Sequence, residues 1–185
     1  MHELAHKRKY TQAAIIGLIC LLFAITIINF WQQAKIYTNQ IIAQDVAVLS
    51  TVFNKIHHDC SIVDFHYQQQ NYIDFLNVIS FEGSEIGTMQ VKYPQHWNGP
   101  YMRENPTIQG KYYQVVKTNK GFYIVPGNGV QLNNHKVIGK DILLDVHADI
   151  EGMMQDKGMF NYNGQPLAAP LPLIAQTIVL DNTEY

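Results

Sequence analysis

His57, His58, Asp59 and Cys60 stand in a row with His66 close behind, and together they offer imidazole, carboxylate and thiolate, the ligand types that zinc accepts. Adjacent residues on a helix point about 100° apart, so the row does not aim its side chains at one point. Only His57 and Cys60 share a face, and among these five residues no Cys-x2-Cys or His-x3-His spacing occurs. The competing reading is a solvated helix end with one buried thiol. A second set, Asp141, Asp145, His147, Asp149 and Glu151, supplies oxygen ligands of the kind calcium takes. Ile142, Leu143, Leu144, Val146 and Ile150 interleave with it, which equally describes a half-buried element with an acidic, solvated face. No resident cofactor or metal is expected, zinc at the first cluster and calcium at the second being the two alternatives. No Gly-x-Ser-x-Gly, Gly-x-x-x-x-Gly-Lys or Ser-x-x-Lys pattern occurs, and no catalytic set is assigned.

The elements that would position these residues start with an apolar run. Ala13 to Trp31 is almost free of polar side chains and follows the basic cluster His6, Lys7, Arg8 and Lys9. Nineteen residues at about 1.5 Å each reach roughly 28 Å, close to the thickness of a hydrocarbon core. A cleaved secretory signal would have a shorter core and a small-x-small site after it; Asn29 to Lys35 has no such site, so the run reads as an uncleaved anchor. Lys7, Arg8 and Lys9 precede the run and only Lys35 follows it closely, which places the basic start in the cytoplasm and the rest outside. The expected location is a bacterial inner membrane, spanned once, with the C-terminal domain in the periplasm.

Beyond the run, Ala34, Ile41, Ile42, Val46, Leu49, Val52, Phe53 and Ile56 recur at helical spacing, and Gln33, Asn39, Gln40, Gln44, Asp45, Ser50 and Asn54 take the other face. The resulting organisation is a basic start at 1–9, a transmembrane helix at 10–32, an amphipathic extension of the same helix at 33–60 and an exported globular domain at 61–185. Within the domain, Ser61 to Asn77 reads as a helix or irregular connection. Thr88 to Tyr93 alternates as a strand does, and Lys111 to Lys117 and Gly121 to Val125 make a β-hairpin about Thr118 to Gly121. Asp141 to Met154 reads as a short helix and Ala175 to Leu180 as a closing strand. The expected fold class is α+β, a long N-terminal helix packed on a small antiparallel sheet. A net charge of −2, with charged residues at only 15 %, excludes the basic stripe of a nucleic-acid surface. The two cysteines, Cys20 and Cys60, fall on either side of the membrane boundary and make no disulfide framework.

Order along the chain adds a resemblance. A basic start, a membrane helix running into an amphipathic one, then Trp97-Asn98-Gly99-Pro100-Tyr101-Met102, Pro106, Gly110, Tyr112-Tyr113, Gly121 to Val125 and Gly127-Asn128-Gly129 resemble the type IV pilins and the major pseudopilin of type II secretion. The chain has Lys9 where that family carries a Gly and Ala14 where it carries a Glu, which marks it as a divergent relative, an accessory or minor subunit. The resemblance implies a pilin-like fold and a structural subunit whose partners are membrane lipid, copies of itself or other pilin-like subunits, and secretion machinery. The assembly residues would be Ile19, Ile41, Ile42, Val46, Leu49 and Phe53, divided between the domain's own sheet and neighbouring helices, with Ile42 on the side open to neighbours. The alternative is a membrane-tethered periplasmic binding module that joins no filament and presents Trp97 and Tyr101 to its partner.

Overall fold

A computed structural model of the chain describes residues 2–66, 71–155 and 159–173, with helical side chains at 15–29 and from Tyr37 onward. A helix, α1 (His2–Cys60), comes first. It is followed by β1 (Ile62–Phe65), β2 (Asn71–Tyr72), β3 (Glu85–Ile86), β4 (Met89–Val91), β5 (Thr107–Ile108), β6 (Lys111–Tyr112), β7 (Gln114–Thr118) and β8 (Gly121–Val125). The helix α2 (Ile150–Gln155) and the strands β9 (Asn161–Tyr162), β10 (Gln165–Pro166) and β11 (Ala169–Pro170) complete the described elements. The class is therefore α+β, as the sequence leads one to expect. By contacts the chain divides at Tyr37 into two compact units, 1–37 and 38–185.

Unit 38–185 is built on two antiparallel sheets, β1-β4-β3 and β11-β8-β7-β2, with two small ribbons, β5-β6 and β10-β9. Its centre is the β7–β8 hairpin, paired from Gln114↔Val125 to Thr118↔Gly121. All five residues of β8 and four of the five in β7 are buried, so this pair is covered on both faces. One stripe of α1 belongs to the same core. Ile42, Val46, Leu49, Phe53, Ile56 and Cys60, spaced by fours and threes, are fully buried in the core that holds Phe65, Met89, Val115 and Phe122. Phe53 packs on Phe65 and Phe75 at 6.2 Å between ring centres, and Phe65 on Phe122 at 5.8 Å. Separations of this size suit tilted and edge-on aromatic pairs.

The stop of α1 has a local cause. Ser61 takes a positive φ of 53°, the left-handed conformation that ends many helices, and its N–H closes on the His57 carbonyl at 2.9 Å. The freed carbonyls at the end find donors across the fold: Cys60 O accepts from Tyr93 N at 2.9 Å and Asp59 O lies 3.1 Å from His96 Nδ1.

Two expectations about elements need correction. Ser61 to Asn77, read as a helix or irregular connection, carries the short strands β1 and β2, with no helix among its described residues. In Asp141 to Met154 only the stretch from Ile150 onward is helical. The reason lies in the aspartates: Asp141 Oδ2 takes Val137 N and Asp145 Oδ1 takes His147 N, short-range bonds that compete with helix formation. Asp149 Oδ1 instead takes Gly152 N, a cap that starts the helix at Ile150. The expected strand Ala175 to Leu180 lies outside the described residues.

Candidate functional site

Between residues 15 and 29, α1 turns apolar side chains outward on every side. Ile15, Ile16, Leu18, Ile19, Leu21, Leu22, Phe23, Ile25, Ile27 and Ile28 are each between 46 % and 66 % exposed. Soluble monomers rarely expose a contiguous apolar surface of this extent. Thr26 turns its hydroxyl back onto the Leu22 carbonyl at 2.7 Å, so the helix satisfies it internally. Among the described residues no helix is long and apolar enough to cross a membrane. The apolar run in the sequence continues past the described side chains at both ends, with Ala13 and Ala14 before them and Phe30 and Trp31 after.

The residues expected to drive assembly separate into two groups. Ile19 and Ile41 are exposed, at 47 % and 43 %. Ile42, Val46, Leu49 and Phe53 are buried to within 1 % in the domain's own core. Ile42, expected on the open side of the helix, is thereby corrected to a core residue, because its position repeats the stripe of Val46, Leu49 and Phe53 and not that of Ile41. Val48, not singled out by the sequence, is exposed at 49 % and shares Ile41's face at a spacing of seven.

Trp97 and Tyr101 sit together in a half-buried aromatic row. The indole meets Phe81 edge-on at 5.3 Å and Tyr101 at 4.7 Å, and its Nε1 donates to the Val78 carbonyl at 3.1 Å. Lys55 of α1 places its ammonium 5.6 Å from the Tyr101 ring centre. The two rings brace the loop after β4 against the helix end, and both side chains remain partly accessible.

The His-rich row does not converge. His58 Nδ1 lies 2.9 Å from Asp59 Oδ1, while His66 Nε2 reaches Glu85 Oε2 at 3.2 Å on another strand. His57 Nδ1 is buried without a hydrogen-bond partner among the described residues. Burial pushes the Cys60 thiol up, a hydrogen bond with the Tyr101 hydroxyl draws it back in part, and the nearby Asp59 charge raises it again. The thiol is thus held in its protonated form, the opposite of a metal-binding or nucleophilic cysteine. The acidic segment is likewise engaged with its own surroundings. Asp149 Oδ1 accepts from Lys120 Nζ at 2.8 Å, which lowers the Asp149 pKa and raises that of Lys120, and Asn119 Nδ2 lies 3.3 Å from His147 Nδ1. Among the described residues no group of three or more His, Cys, Asp or Glu side chains is placed to hold a metal ion.

Other polar connections carry no mark in the sequence. Tyr113, fully buried, donates its hydroxyl to Asp45 Oδ2 of α1 at 2.7 Å, and burial followed by that bond drives its pKa far above the ordinary tyrosine value. Asn105 Oδ1 accepts from the main-chain N–H groups of Leu76 and Asn77, while its Nδ2 donates to the Asp74 carbonyl and to Asn77 Oδ1. A strong turn signal at Asn105-Pro106 is visible, but nothing marks a partner some thirty residues earlier. Compared with models of protein families, with curated proteins and with solved structures, the chain matches none.

Proposed function

We propose that the chain is a pilin-like, membrane-anchored structural subunit of a bacterial secretion or pilus assembly, acting through helix packing and domain contacts and performing no chemical step. The observation that carries this reading is the all-round apolar exposure of residues 15–29 in the same helix whose later part, from Ile42 to Cys60, belongs to the core of an α+β domain. Apolar side chains on all faces of a helix call for lipid or for other helices, and the sequence from Ala13 to Trp31 has the length for a single span. The basic cluster Lys7 to Lys9 then stays on the cytoplasmic side and the domain lies in the periplasm. Long N-terminal helix, amphipathic second half and small antiparallel sheets together support the pilin-like arrangement. The aromatic row at Trp97 and Tyr101 supports the second reading, a tethered binding module, because those rings are partly accessible on the domain surface.

Photo-crosslinking residues introduced at Ile19 and at Ile41, in the native membrane, separate the two. The structural-subunit reading requires capture of a second copy or of another pilin-like helix from both positions. Lipid adducts alone at position 19 and no protein at position 41 would leave the tethered module standing in its place.

A further inference from the structure

Three Asn-Gly pairs occur in the domain, Asn98-Gly99, Asn128-Gly129 and Asn163-Gly164, and an Asn-Gly pair is open to a reaction that needs no enzyme. The glycine's main-chain nitrogen attacks the asparagine Cγ, the new N–Cγ bond forms, the Cγ–Nδ2 bond breaks and the amide leaves as ammonia, carrying the proton lost by the glycine nitrogen. Water then opens the cyclic imide at either carbonyl, giving aspartate or isoaspartate. Glycine favours the attack because it has no Cβ to crowd the ring that closes.

The three sites differ in the state of the attacking nitrogen. Gly129 N donates to the Ile138 carbonyl at 2.8 Å, and Gly164 N donates to Asn161 Oδ1 at 2.9 Å. Such a bond fixes the N–H and stabilises its protonated form, which opposes nucleophilic attack. Gly99 N has no acceptor among the described residues. The Asn98 side chain is exposed to the water that the second step consumes, and the pair sits in the loop after β4, outside any strand. We propose that Asn98-Gly99 is a site of spontaneous deamidation, a covalent modification that places a new carboxylate beside the aromatic row of Trp97 and Tyr101. The position matters because Asn98 N donates to the Tyr101 hydroxyl at 3.4 Å and Lys55 lies over the same ring. An isoaspartate there also lengthens the main chain by one carbon between Trp97 and Tyr101. The partly accessible surface of the domain would thus change charge and shape with the age of the protein, independently of what the surface binds.

The test is to age the full chain at mildly alkaline pH and follow each Asn-Gly peptide by mass spectrometry, with separation of the aspartate and isoaspartate products. Asn98 should be lost before Asn128 and Asn163. Asn161→Ala removes the carbonyl that holds Gly164 N, and in that variant Asn163 should be lost faster than in the parent chain while Asn98 is lost at the parent rate. Asn98→Gln, which must close a larger ring, should abolish the early product. Gly99→Ala is unsuited, since a Cβ there would collide with the Val78 carbonyl oxygen. Loss of Asn128 or Asn163 ahead of Asn98 in the parent chain, or an unchanged rate at Asn163 in Asn161→Ala, would overturn the assignment.

Discussion

Tyr113 and Asp45 form the polar link that ties α1 to the start of the central hairpin. The phenol is fully buried and its donor has one acceptor, the Asp45 carboxylate at 2.7 Å. Tyr113→Phe leaves that carboxylate half-buried and short of a donor, and hydrogen bonds to charged groups contribute roughly 1.5–3 kcal/mol, so a loss of that size is expected in urea unfolding. Tyr123 adds a pH dependence. Burial, then a hydrogen bond from its hydroxyl to Glu151, pushes its pKa from the ordinary 10.0 up to about 12. Below pH 10.0 both folded and unfolded chains keep the proton and the contribution is complete. Above it the unfolded chain ionises first, so stability falls as pH rises, until at about 12 the folded chain ionises as well. Urea midpoints measured across that interval should fall less steeply in Tyr123→Phe than in the parent. Neither tyrosine is recognisable from its neighbours: Tyr113 and Asp45 are 68 positions apart, and spacing rules describe contacts within an element only.

At the scale of elements, the hairpin is legible because β7 and β8 are rich in β-branched and aromatic residues and flank a short polar turn. The acidic segment is not, because its periodic apolar residues suggest a helix that Asp141 and Asp145 undo by binding nearby main-chain donors, leaving Asp149 to cap the short helix that does form. The His-rich row is legible as a helix end and no further, since its members part company only in three dimensions, His66 to Glu85 and Cys60 to Tyr101. Lys120 and Asp149 join the hairpin turn to the segment before α2, but both are exposed, so their pairing adds little. Asn105 is the stronger connector. Its amide serves two main-chain donors and one main-chain acceptor in Asp74 to Asn77, a stretch that holds the buried Phe75 and Leu76 and follows the buried Ile73. Asn105→Ala is expected to destabilise the domain by about 1–3 kcal/mol. Hydrogen exchange at Leu76 and Asn77 should rise more than in the hairpin, which a merely global loss would not produce.

For the molecule as a whole, the decisive contrast is between two consecutive isoleucines of one helix. Ile42 belongs to the stripe that Val46, Leu49 and Phe53 continue inside the core, whereas Ile41 and Val48 face away from it. The sequence showed a stripe and its period but not how far round the helix the domain reaches, because a few residues at neighbouring angles are apolar on both sides of that border. Ile42→Asp removes a buried side chain, a loss of about 2–5 kcal/mol by truncation alone, and adds a carboxylate with no partner. The variant should show a lowered urea midpoint and faster proteolysis of the domain; if the proposed anchor holds, it stays in the membrane through the apolar run. Ile41→Asp leaves the core untouched and should keep the domain's protease resistance and urea midpoint. If the helix packs against neighbouring subunits, Ile41→Asp nonetheless abolishes the cross-links formed from position 19 or from Val48. If the domain is only tethered, those signals are absent from the parent chain as well, and substitutions at Trp97 and Tyr101 are the ones that remove binding.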